Sequence, residues 1–193
     1  MEIIWIHALY NLLFITAVIL LIGIAANIVF QLVLAALSLL VGEDTAYWIR
    51  NHLTVVGTIH HELAHALFAT LTGAKVLEIH FFGSRNGQLG SVVFRMRGPK
   101  VLQAVQQSMT AVAPVICGCT SLALLLWVEW NYCNLWWHYA FAILVQINIA
   151  LHMNMSSQDV RNALKGLPIC LLLLYLGLCI GGYFGAVPLL FTL

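Results

Sequence analysis

Residues 53–74 read LTVVGTIHHELAHALFATLTGA, and Glu62 is the one formally charged side chain among them. About 20 apolar residues in a helix cross the hydrocarbon core of a bilayer. The stretch therefore predicts a spanning helix over 53–72. Working outward, the pattern repeats. Residues 3–42, 101–128, 130–158 and 166–193 contain no Asp, Glu, Lys or Arg. The last three predict spans at 108–128, 135–155 and 167–191. The first is too long for one upright span. It predicts either two spans broken near Gly23–Asn27 or one long tilted helix behind an interfacial segment led by Trp5. The expected fold class is an all-α polytopic membrane protein, one domain over 1–193 with five or six transmembrane helices.

Composition agrees. Of 193 residues, 62% are hydrophobic and 8% charged, against roughly 25% charged in soluble domains. Mean hydropathy is +0.97. A soluble fold of this size buries only about 70% of its surface and cannot hide so much apolar area. This excludes a disordered chain, a nucleic-acid binder and an ordinary soluble enzyme. The net charge of +1 implies no polyanionic partner. No basic segment precedes the first apolar run, so no cleavable leader is expected. Lys75, Arg85, Arg95, Arg97 and Lys100 cluster in 73–109, and Arg161 and Lys165 in 156–166. Two spans separate these segments, so both are expected on the cytoplasmic side of a bacterial inner (plasma) membrane. The five cysteines are expected to pack as small hydrophobes. Cys117-x-Cys119 lacks the gap of a typical zinc pair.

His61-Glu62-Leu63-Ala64-His65 forms H-E-x-x-H within the 53–72 span. Residues four apart share one helix face, so the two imidazoles can hold one zinc ion at about 2.0–2.1 Å each. Glu62 lies beside the first and can reach a zinc-bound water as general base. Ionisable groups inside a span are functional candidates by default. His60 points about 100° away from His61 and is expected to pack or to support. A hydrolytic zinc site needs a third protein ligand and an open position. The candidates are Glu78, His80, Glu129, His138, His152 and Asp159. Glu129 and His138 fall at the far face. Asp159 is preferred, at the cytoplasmic edge of the fourth charge-poor stretch in a polar, broken segment from Asn154 to Asn162. His152, about two turns deeper on the same expected helix, is the alternative.

An H-E-x-x-H within a hydrophobic span, followed in a later span by Asn154…Asp159, resembles the site-2 protease family of intramembrane zinc metalloproteases. The likeness covers roughly residues 50–170. It is to a small bacterial-type member without an added peptide-binding domain. His61-Glu62-Leu63-Ala64-His65-Ala66 is similar to that family's active-site helix, and Asp159 stands at the place of its aspartate ligand. The family's second motif has Asn, Pro and Asp-Gly, whereas Asp159 is followed by Val160. The resemblance implies one Zn2+ per chain on His61, His65 and Asp159, with Glu62 as base. It also implies an oxyanion-stabilising Asn, with Asn154 preferred and Asn148 the alternative. The substrate class is a transmembrane protein or membrane peptide cleaved within the lipid bilayer.

Residues 75–97 alternate rather than follow a helical period. Leu77, Ile79 and Phe81 share one expected face, as do Val92, Phe94 and Met96. Asn86-Gly87 between them is a hairpin turn signal. A membrane-associated β-hairpin is expected, with an edge able to hold an unwound substrate as an added strand. Ala113-Pro114 is expected to kink its helix. Gly177, Gly181, Gly182 and Gly185 are expected at a close helix contact. The rival readings are an inactive membrane scaffold that keeps the fold, and a metal or proton transporter. An intact Glu62 disfavours the first. The gathering of ionisable groups near one face disfavours the second.

Overall fold

The computed structural model describes residues 2–82 and 90–185. In chain order the elements are α1 (Glu2–Val41), α2 (Glu43–Leu53), α3 (Val55–Leu71), β1 (Lys75–His80), β2 (Ser91–Arg95), α4 (Lys100–Tyr132), α5 (Trp136–Leu151) and α6 (Ser157–Tyr183). The chain is helical with one small sheet. Helices α1, α4 and α6 are each long and apolar enough to cross a membrane, and α5 is a shorter apolar helix. Large apolar side chains such as Leu20, Leu21, Leu32, Leu124, Trp127 and Leu172 stand exposed along them. Lipid tolerates such a surface, whereas water does not at this extent.

The long N-terminal stretch is a single helix of 40 residues, with no break at Gly23–Asn27. Its rise is about 60 Å, twice a hydrocarbon core. Ala8 and Leu12 of α1 pack on Leu178 and Cys179 of α6, flanked by Ile15, Leu171 and Tyr175. Residues 43–53 form α2. Glu43 and Asp44 sit in its first turn, where negative charge complements the helix dipole.

Helix α3 stops through a Schellman ending. Gly73 takes φ +86°, Ala74 N–H donates to Ala69 O (2.8 Å) and Gly73 N–H to Thr70 O (3.0 Å). The chain then turns directly into β1. Strands β1 and β2 pair antiparallel, with a bulge between Val76 and Glu78. Leu77 is the extra residue. It therefore does not share a face with Ile79; Val76 and Ile79 do, opposite Phe94 and Val92. The expected Asn86-Gly87 turn lies outside the described residues. Gln106 of α4, fully buried, clamps the base of the hairpin. Its Oε1 accepts from Arg97 N–H (2.9 Å), and its Nε2 donates to Thr72 O and Arg97 O (both 3.1 Å).

Several boundaries differ from expectation, and α4 runs over Lys100–Tyr132 rather than 108–128. Helix α5 ends at Leu151 rather than near 155, and α6 begins at Ser157 rather than 167. Ser156 and Asp159 form a capping box that starts α6. His152 and Asp159 therefore do not share a helix, contrary to the expectation. Gly177 and Gly185 do not stand at close helix contacts. A Cβ on Gly177 or Gly185 would meet nothing within 4 Å. On Gly57 it would lie 2.2 Å from Asn148 O, and on Gly166 2.1 Å from Ala104 O. These glycines bring α3 onto α5 and α4 onto α6, and Ser108 Oγ–H ties the second pair through Ala163 O (2.6 Å). Gly166→Ala is expected to destabilise the protein by about 1–3 kcal/mol through overpacking, whereas Gly177→Ala changes little. Thermal unfolding in detergent checks this, and equal midpoints for the two variants would refute the assignment.

Candidate metal centre

His61 and His65 lie one turn apart on α3 because four residues nearly complete a helical turn. Each ring is then fixed by a hydrogen bond at its Nδ1. His65 Nδ1 pairs with Thr110 O of α4 at 2.7 Å, and His61 Nδ1 pairs with His152 O at 2.6 Å. A carbonyl only accepts, so both Nδ1 atoms carry the proton. In the neutral rings both Nε2 atoms are then bare acceptors. They face each other at 3.0 Å. Two lone pairs at that distance repel unless a proton or a metal cation lies between them.

The third group comes from α6. Asp159 Oδ2 accepts from Ser156 N–H (3.0 Å) and Ser156 Oγ–H (2.5 Å), and Ser156 Oγ accepts from Asp159 N–H (3.1 Å). This reciprocal cap leaves Oδ1 for other work. Oδ1 lies 3.7 Å from His65 Nε2, too far for a hydrogen bond. One ligand atom from each of His61, His65 and Asp159 lies within 4.8 Å of the others. Nitrogens on a tetrahedral zinc at about 2.05 Å stand about 3.3 Å apart, near the 3.0 Å observed between the imidazoles. With Asp159 Oδ1 at 3.7 Å from His65 Nε2, the two imidazoles and the carboxylate form a group that could hold a metal ion.

That cavity holds about 280 Å³ and is lined by His61, Glu62, His65 and Asp159, by Gly90, Val92 and Phe94 of the hairpin segment, and by Asn154. Glu62 is buried. Gly90 crosses directly over it: a Cβ there would stand 2.6–2.9 Å from Glu62 Cγ, Oε1 and Cδ. Two carboxylates line the space, and among the described lining residues there is no Lys or Arg. Glu62 is buried and Asp159 partly so, and a buried acid needs a compensating cation or a proton, so the electrostatics also suit a cation.

Of the other ligand candidates only His152 lines this cavity. The His152 ring is engaged by hydrogen bonds, its Nδ1 with Asn148 O (3.1 Å) and its Nε2 with Thr58 Oγ1 (3.2 Å). It serves the centre through its backbone carbonyl. Glu78 and His80 pair with each other on exposed β1 at 3.0 Å. Glu129 accepts from Gln146 Nε2 (2.7 Å), and His138 packs on Trp137. His60 turns to Ser121 Oγ (2.9 Å) in a separate, largely apolar cavity. Asn154 lines the metal cavity, whereas Asn148 does not.

Sequence reasoning passed over two polar residues of the cavity wall, Gln107 and Thr110 of α4. Gln107 Nε2 donates to Asn162 Oδ1 (3.0 Å), linking α4 to α6, and Thr110 supplies the carbonyl beneath His65. Their signal was the run of Gln, Ser and Thr in the opening turns of an otherwise apolar helix. No protein-family model, curated protein or solved structure matches the chain.

Proposed function

We propose that this chain is an intramembrane zinc endopeptidase, akin to the site-2 protease family its motif resembles, that hydrolyses peptide bonds of membrane-spanning proteins or membrane peptides. The observation that carries the proposal is the convergence of His61 Nε2, His65 Nε2 and Asp159 on one point in a cavity shared with Glu62. Zinc, when bound there, supplies a Lewis acid that polarises the scissile carbonyl and makes water acidic near neutral pH. His61, His65 and Asp159 hold it. Glu62 takes the proton from the attacking water and returns it to the leaving amine. Asn154 offers an amide N–H to the developing oxyanion.

The hairpin supports a peptide substrate in particular. A helical peptide shields its own amides, so cleavage requires an extended stretch. β2 lines the cavity through Val92 and Phe94. It has β1 on one side and, among the described residues, no strand on the other. A peptide added to that edge would run past the metal. The Lys and Arg distribution orients the hairpin and the start of α6 to the cytoplasm, from which water would enter.

Purified protein is expected to hold one zinc per chain by elemental analysis. Stripping it with a chelator is expected to abolish cleavage of membrane peptides in detergent or vesicles, and zinc is expected to restore it. Cleavage that persists after the metal has been fully removed would rule the proposal out.

A further inference from the structure

We infer that Pro114 is a positioning residue for the metal centre: it withholds a helical donor from the Thr110 carbonyl, which then fixes the ring of His65. The inference rests on the metal-site part of the proposed function and not on its protease chemistry.

In an α-helix the N–H of residue i bonds the carbonyl of residue i−4. Pro114 lies inside α4 and has no N–H, so the Thr110 carbonyl loses its usual partner. Thr110 and Pro114 are both buried. An unpartnered buried carbonyl is costly, and a neighbouring helix commonly re-satisfies it. Here the donor is His65 Nδ1–H, at 2.7 Å.

The same device occurs at the other imidazole by a different route. His61 Nδ1–H donates to His152 O at 2.6 Å. Helix α5 has ended at Leu151, and the amide four residues on, Ser156 N–H, donates to Asp159 Oδ2 instead. Each imidazole is thus gripped by a carbonyl released from a helical ladder, one by a proline and one by a helix end. A bond at Nδ1 sets the tautomer and leaves Nε2 for a metal. An N–H at position 114 would compete for Thr110 O and free the ring of His65 to place its proton on Nε2, which cannot then ligate.

The test compares wild type, Pro114→Ala and Pro168→Ala. Pro168 is the interior proline of α6 and controls for removing a helix proline as such. Ring nitrogen NMR of histidine-labelled, metal-free protein reads the tautomer of His65, with His61 in the same spectrum reporting that the bundle is intact. Chelator competition reads zinc affinity. Wild type is expected to show Nδ1–H at His65. Pro114→Ala is expected to populate Nε2–H and to bind zinc about 10–100-fold more weakly, while Pro168→Ala matches wild type. An Nε2–H tautomer in wild type would overturn the inference, even if Pro114→Ala failed to fold. So would an unchanged tautomer or affinity in Pro114→Ala, or an equal loss in Pro168→Ala. A wild type that takes up no zinc overturns both this inference and the metal site. A wild type that binds zinc and cleaves no peptide overturns the protease reading alone.

Discussion

Glu62→Gln is expected to keep its zinc and to lose cleavage by roughly 10²–10⁴-fold, the contribution of a positioned general base. The substitution is nearly isosteric, so it alters proton affinity rather than packing. Glu62 lies beside the proposed ligands His61, His65 and Asp159 in the same cavity, with the chain at Gly90 closed over its carboxylate. Glutamine fits that space but cannot accept the proton. The three ligands stay in place, so zinc stoichiometry and affinity are expected to match wild type. Equal turnover would remove Glu62 from the mechanism. Loss of the metal together with the activity would make it a ligand rather than a base.

Asp159→Ala is expected to weaken zinc binding by roughly 10²–10³-fold. The scale follows from about 10–16 kcal/mol for a structural zinc shared among its four ligands. The variant also breaks the capping box at the start of α6, so a second substitution separates the two roles. Ser156→Ala removes the hydroxyl that holds Oδ2 but leaves Oδ1 beside His65. It is expected to cost about 1 kcal/mol of stability and to keep most of the metal affinity. Asp159→Asn keeps an acceptor for the cap and loses the charge, so it is expected to resemble Asp159→Ala in zinc binding and wild type in stability. Zinc affinity that falls equally in Ser156→Ala and Asp159→Ala would make the carboxylate a cap and not a ligand.

The H-E-x-x-H face was legible because it is local: a helical period and a spacing of four suffice to place His61 beside His65. Asp159 was reached only through topology, by asking which acid can approach that depth from the same side. The Ser156-x-x-Asp159 spacing was visible too, but its role as a helix start separates it from α5, and no apolar count draws that boundary. Continuity of α1 through Gly23 and Asn27 was not legible, since a helix in apolar surroundings tolerates both residues. The hairpin followed from alternation, yet the bulge at Leu77 shifted its faces, because a bulge depends on the partner strand. Glycine packing at Gly57 and Gly166 depends on what lies opposite, which no single helix reveals. Least legible were the carbonyls of Thr110 and His152. Backbone oxygen is common to every residue, and only Pro114 marks one of them in the sequence.

Gln106 and Thr110 stand four residues apart on α4, on the same side of that helix. The first holds both ends of the hairpin, and the second holds His65. A single turn of α4 therefore works as a common strut. Load placed on the strands is borne where the imidazole is seated, so the hairpin and the ring of His65 share one mechanical support.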